Sequence, residues 1–137
     1  MAKTSVAGIA FDGETVLIAH RNPTGDMGNR WEFPGGKVDG NESDAQALAR
    51  EFEEEFGIKV RVGEKIAEAV FMHKGEKVNL HAYRVYVPHK GVIFKYKLTE
   101  HTEYKWASLS AIQKLNFVDS DLLLYPDVKK YALTKTD

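Results

Sequence analysis

The amino-acid sequence predicts an α/β fold, and three observations carry that prediction. Residues 5–11 and 15–20 show the two-residue alternation of half-buried strands. An amphipathic segment at helical period follows, opened by a cap at Asn41 or Ser43 and closed by Gly57. Two more strand-like stretches, 59–73 and 77–87, come after that helix, so strands and helices interleave along the chain.

Taken in order, the first two strands are joined at Asp12-Gly13, a strong hairpin signal. Residues 21–30 read as a loop, because Asn22-Pro23-Thr24-Gly25-Asp26 is dense in turn formers, and a loop of this length is a natural substrate-facing element. A glycine-bearing loop over residues 33–42 then leads into the helix; Gly35 and Gly36 permit tight folding against a ligand or the helix itself. On the helix, Ala45, Leu48, Ala49, Phe52 and Phe56 form the stripe expected to be buried. Residues 59–73 are extended with a break near Gly63, and turn through Lys74-Gly75 into the strand at 77–87. Residues 91–98 are ambiguous. Residues 106–109 end a strand, where Ser108 or Ser110 opens a short helix through Lys114. A final helix is expected over residues 121–131, with Pro126 either kinking it or starting a new helix.

Composition narrows the function classes. A chain of 137 residues with 43% hydrophobic and 28% charged side chains fits one globular domain, residues 1–137. A net charge of −1 provides no electrostatic footprint for duplex nucleic acid. With no cysteine, disulfides, thiolate catalysis and cysteine-bound zinc are excluded. No apolar run approaches the roughly 20 residues that span a bilayer, and the N-terminal residues lead straight into a strand, so the expectation is a cytoplasmic protein without a membrane partner. The histidines are scattered and receive no role.

The most informative feature is a cluster of carboxylates at Glu51, Glu53, Glu54 and Glu55. Like charges at helical spacing repel by a few tenths of a kcal/mol per pair, so something must offset them. Glu51, Glu54 and Glu55 are related by i, i+3 and i+4 and share one face, while Glu53 points away. They flank the apolar stripe at a solvent-reachable edge. Clustered hard oxygen donors suit Mg²⁺, or Mn²⁺, and these ions pair naturally with substrate phosphates. A solvated acidic face is the alternative, and the surrounding residues weigh against it.

Those residues are Gly36, Glu42, Arg50, Glu51, Glu54, Glu55 and Gly57, with apolar Phe52 and Ile58. At every position they match G-x5-E-x7-R-E-u-x-E-E-x-G-u, where u is apolar, and the chain thereby resembles the Nudix family. The resemblance implies an α/β/α sandwich around a mixed central sheet. It also implies a pyrophosphohydrolase that uses divalent metal to split a nucleoside diphosphate from a linked group. The run from Trp31 to Lys37 and the chain length are similar to the MutT-type branch. That likeness implies cleavage of a nucleoside triphosphate to the monophosphate and pyrophosphate.

Roles follow from both sources. Glu51, Glu54 and Glu55 are the candidate metal ligands, and the resemblance adds the Gly36 carbonyl. Glu51 and Glu54 are also candidate catalytic residues. Glu100 and Glu103 are placed in a loop before Trp106, and spacing in MutT-like proteins favours Glu100 as the base. Arg21 and Lys37, on loops around the site, are candidate phosphate contacts, whereas Arg50 is expected in a structural ion pair with Glu42 and its neighbours. Phe33 is either a base-stacking ring or core. By resemblance, Asp121, and after it Asp119, supplies a polar reader for the base; an ionised aspartate would only accept, favouring cytosine or a modified guanine. The competing expectation is that Asp119 or Ser120 simply caps the last helix.

The expected partner is a small nucleotide, acted on by a monomer or homodimer. The alternatives are another substrate with the same linkage, such as a nucleotide sugar or dinucleoside polyphosphate, and a non-catalytic nucleotide-binding regulator. The intact set of signature acids weighs against the regulator.

Overall fold

The computed structural model describes residues 3–21, 29–88 and 101–135, apart from the side chains of 101 and 102. Strands β1 (Lys3–Asp12) and β2 (Thr15–Arg21) form the expected hairpin, but pair only at Phe11↔Val16 and Asp12↔Thr15 before diverging. The divergence opens β1 to β4 (Gly35–Lys37), which pairs antiparallel with it across Ser5 to Ala7. The opposite edge of β1 runs parallel to β6 (Glu76–Tyr86), which continues antiparallel into β5 (Arg61–His73). Strand β2 carries β3 (Trp31–Glu32) and β7 (His101–Ser108), both antiparallel. The sheet is therefore mixed, in the order β3-β2-β1-β6-β5.

Period-two alternation sorts the side chains to two faces, and both faces are covered. Val6 and Ala10 of β1, with Leu17 and Ala19 of β2, pack against Leu48, Phe52 and Phe56 of helix α1 (Asp44–Phe56). The intervening residues Ile9, Phe11, Val16 and Ile18 face Ile112, Leu124 and Val128 on the other side. Ile112 closes α2 (Leu109–Ile112), Leu124 follows α3 (Asp119–Leu122) as the N-cap of α4 (Tyr125–Thr134), and Val128 lies within α4. This is the α/β/α layering that the sequence resemblance implied.

Several expectations need revision. In α1 the buried alanine is Ala47, while Ala45 is exposed. Of the two alternatives at Pro126 the second holds: it starts a new helix, lying in the first turn of α4 after the short α3, where its missing N–H leaves no bond broken. Arg21 is the last residue of β2 rather than a loop residue, and Glu103 lies in β7 opposite His20. The predicted break near Gly63 is an irregular register between β5 and β6, from Val62 to Ala67. Ser108 caps α2, accepting from the Ala111 N–H at 3.3 Å. Residues 22–28, 91–98 and Glu100 lie outside the described residues.

Candidate active site

Helix α1 is held at both ends. Ser43 caps its start in a reciprocal pair with Gln46, and Gly57 closes it with a left-handed φ of 69°, a conformation that costs glycine nothing. Burial of Leu48, Phe52 and Phe56 fixes its rotation, which distributes the acids unequally. Glu55 is buried, only 7% exposed, Glu51 is partly covered, and Glu53 and Glu54 are exposed. The sequence placed all three site acids at a solvent-reachable edge; Glu55 instead continues the buried stripe, four residues after Glu51.

Arg50 organises the approach to these acids. Its Nε and Nη2 donate to the two oxygens of Glu42 at 2.8 and 3.0 Å, and Nη2 also donates to the Lys37 carbonyl at 3.0 Å. Its Nη1 reaches Glu51 at 3.0 Å and Glu54 at 2.8 Å. The structural role expected for Arg50 is what the geometry shows: a guanidinium that ties the loop after β4 to α1. Glu42 in turn accepts from the Asp39 N–H at 2.9 Å, and the Arg50 bond foremost holds its carboxyl below the ordinary range.

Gly36 makes contact of another kind. A Cβ there would lie 2.5 Å from the Glu51 carboxyl carbon, a separation no side chain tolerates. Only glycine lets this carboxylate lie where it does against the β4 backbone, so that strand and the acidic face meet without intervening bulk. Such a set of hard oxygen donors fits Mg²⁺ or Mn²⁺. Among the described residues no three acids or histidines are gathered closely enough to hold a metal ion by themselves, and Mg²⁺ does not require it, since it binds through one or two carboxylates plus waters and phosphates.

Gly36, Glu51, Glu54 and Glu55 line a cleft of about 1400 Å³, and Lys37 lies on its wall. A second group lines the same cleft: Arg21, Glu32, Phe33, Ser120 and Asp121. Distant segments are brought together to build it. The chain at 116–118 is stitched beside β3, with Trp31 N–H donating to the Asn116 carbonyl at 2.8 Å and Val118 N–H to the Trp31 carbonyl at 2.9 Å. Helix α3 starts there and delivers Asp121, whose Oδ2 accepts from the Phe33 N–H at 2.9 Å. Glu32 accepts from Arg21 Nη1 at 2.9 Å.

Burial, and then the nearby charge of Glu32, push the Asp121 carboxyl up to about 8, against the opposing pull of the Phe33 N–H and Arg21. Burial thus favours the protonated form of this carboxyl, in which one oxygen can donate while the other accepts. The direction runs against the expectation of an ionised, accept-only aspartate. Asp119, the second candidate reader, has a side chain 82% exposed and paired with Arg30 at 3.3 Å, and it does not line the cleft. Neither Asp119 nor Ser120 caps a helix: the N-cap position is Val118 in α3 and Leu124 in α4, and neither helix has a side-chain cap bond. The Phe33 ring is core, 2% exposed and edge-on to Phe117 at 5.1 Å, so its backbone N–H is the part that bears on Asp121.

Sequence reasoning passed over Glu32, although its place between Trp31 and Phe33 was a usable signal. Reading the run as a strand puts Glu32 opposite its two aromatic neighbours. His81 was also given no role, and the structure bonds it to Asp44 at the head of α1.

With this geometry in view, the NUDIX domain model matches residues 1–128. The chain belongs to the NUDIX family. It is 42% identical over 85 residues to the CTP pyrophosphohydrolase of Escherichia coli strain K12, an alignment covering 62% of each chain and so less than two thirds of that relative. It is 28% identical over 130 residues to the 8-oxo-dGTP diphosphatase of Buchnera aphidicola, covering 95% of both. Among solved structures, the solution structure of the E. coli ORF135 protein superposes with a TM-score of 0.81 at 31% identity, covering 99% of this chain and 95% of that one.

Proposed function

We propose that this NUDIX protein is a metal-dependent pyrophosphohydrolase that cleaves a nucleoside triphosphate to the monophosphate and pyrophosphate. The observation that carries the reading is one cleft lined both by the three signature acids of α1, Glu51, Glu54 and Glu55, and by a buried polar group suited to a base. Relatives named for CTP and for 8-oxo-dGTP support a cytosine or oxidised guanine nucleotide as substrate. A cytoplasmic setting, with a monomer or homodimer as the working unit, completes the proposal.

NUDIX hydrolases generally use divalent metal ions, and Mg²⁺ is the ion proposed here. Glu51, Glu54, Glu55 and the Gly36 carbonyl would hold it. When bound, the ion neutralises charge on phosphate oxygens and lowers the pKa of a coordinated water. Glu51 and Glu54, which accept from Arg50 Nη1, would be free to serve as ligands without unseating Arg50, since its Nε and Nη2 are held by Glu42. Arg21 and Lys37 balance phosphate charge from the cleft wall. Glu100, by its spacing from Trp106, takes the proton from the attacking water. Asp121, as a neutral acid, offers both a donor and an acceptor to the base edge.

The test is product analysis across canonical and oxidised nucleoside triphosphates, nucleotide sugars and dinucleoside polyphosphates, with Mg²⁺ or chelator. Pyrophosphate release from a cytosine or oxidised guanine triphosphate, abolished by chelator, is the expected result. Cleavage confined to sugars or dinucleotides would overturn the substrate reading.

A further inference from the structure

Outside the cleft, one polar cluster ties the acidic helix to the sheet. Asp44 is the first residue of α1, and its Oδ2 accepts from the Tyr83 hydroxyl at 2.6 Å and lies 2.7 Å from His81 Nδ1. Both partners project from β6 on the face that α1 covers, two residues apart as strand period requires. The carboxylate and the imidazole are each about three-quarters covered, so solvent competes poorly for these bonds. Burial works against the Asp44 charge, but the Tyr83 and His81 bonds more than offset it and hold the carboxyl below the ordinary range. The Tyr83 hydroxyl is pushed up to about 12 by burial and by Asp44, so it stays a donor at any working pH.

The position of Asp44 on the helix is what gives the cluster a consequence. Asp44, Leu48, Glu51 and Glu55 fall at i, i+4, i+7 and i+11, a single stripe along α1. Leu48 is fully buried and Glu55 nearly so, so this stripe lies against the protein. Glu51 sits about 10 Å along the axis from Asp44, at 1.5 Å per residue. It is already so close to Gly36 that a methyl group would not fit between them. Apolar contacts of Phe52 and Phe56 resist lifting of the helix, but they are non-directional and tolerate small slides and rotations. Directional bonds to a carboxylate at the helix head remove that freedom.

We propose that Asp44, held by His81 and Tyr83, is a positioning residue that sets the rotation and axial register of α1 and thereby the metal-binding geometry of Glu51 and Glu55. The inference rests on the reading of those acids as metal ligands. Asp44 touches neither metal nor substrate; it acts through the helix. The cluster makes metal affinity depend on a contact made two helical turns away from the nearest ligand.

The experiment measures Mn²⁺ binding to the full chain, without nucleotide, by the loss of the free-ion electron paramagnetic resonance signal. Thermal midpoints are recorded alongside. Asp44→Ala is expected to weaken Mn²⁺ binding about tenfold, the low end of the roughly 10–100-fold effects of residues that support metal ligands. Tyr83→Phe removes one bond of the cluster and should give a smaller loss, and Asp44→Asn, which still accepts from Tyr83, should recover part of it. In turnover, the Asp44→Ala deficit should shrink at saturating Mg²⁺, with KM for nucleotide unchanged. Glu54→Gln runs in parallel as the control for the underlying reading. If Glu54→Gln weakens Mn²⁺ binding and a folded Asp44→Ala or Tyr83→Phe variant does not, the positioning role is wrong. If Glu54→Gln also leaves binding intact, the ligand assignment itself fails. A lowered thermal midpoint with unchanged Mn²⁺ affinity in both cluster variants reduces the cluster to a structural tie and overturns the proposal.

Discussion

The two groups that line the cleft are built in opposite ways. The acidic group is local: Gly36, Glu42, Arg50, Glu51, Glu54 and Glu55 lie within 20 consecutive positions of a β4-loop-α1 unit, and helical spacing alone aligns the acids. The group around Asp121 is non-local, joining residues 88 positions apart through one hydrogen bond from the Phe33 N–H. The first is charged, partly exposed and held by an arginine. The second is buried, and burial pushes the Asp121 carboxyl towards its neutral form. Chemistry on phosphates needs the former, where ionised oxygens meet a cation. Discrimination among bases needs the latter, where an unpaired polar group costs about 1–3 kcal/mol and therefore penalises a wrong partner.

The sharpest way to break this comparison is at the acids. Glu54→Gln should lower kcat by roughly 100-fold or more, because it removes a charged ligand from the reacting phosphates, while circular dichroism stays unchanged at this exposed position. Next in size, Gly36→Ala should cut turnover by on the order of tenfold or more and weaken metal binding, since the added methyl displaces the Glu51 carboxylate. Turnover in both can be read against Mg²⁺ concentration; a Gly36→Ala enzyme with unaltered Mg²⁺ dependence would sever the link between that glycine and the metal group.

Substitution of Asp121 is predicted to act on selectivity. Asp121→Ala should shift the ratio of kcat/KM between cytosine and oxidised guanine triphosphates by roughly tenfold, with a smaller effect on the better substrate. The pH dependence is subtler and has a definite sign. The Asp121 carboxyl is raised in the folded protein, so its donor is present at low and neutral pH and is lost as pH rises through about 8. Base preference in the wild type should therefore change across that range, and in Asp121→Asn, whose amide does not titrate, it should stay flat. A pH-independent ratio in both would remove the neutral carboxyl from recognition.

Much of this was legible in the sequence, for reasons that track the same contrast. The acids, the helix phase set by Phe52 and Phe56, the Ser43 cap and the Gly57 stop follow from spacing along one helix, and the Arg50 pairing with Glu42 from the signature spacing just before it. The strands of β1 and β2 were readable from alternation, and the mixed sheet from the family likeness. What escaped depended on tertiary assembly. The burial of Glu55 reflects how deeply α1 sits on the sheet, and the neutrality of Asp121 depends on Glu32 and on burial by a short helix. Asp119 and Asp121 are indistinguishable in a chain reading, yet α3 turns one to solvent and the other into the cleft. The Asp44 tie joins residues 37 and 39 positions apart, beyond any local pattern.

The most direct test of this division of labour is the ratio of kcat/KM for CTP and 8-oxo-dGTP, measured in wild type, Glu54→Gln and Asp121→Ala at saturating Mg²⁺. Glu54→Gln should depress both substrates by the same large factor and leave the ratio intact, while Asp121→Ala should move the ratio by roughly tenfold. A ratio that moves with Glu54 and stands still with Asp121 would contradict the account.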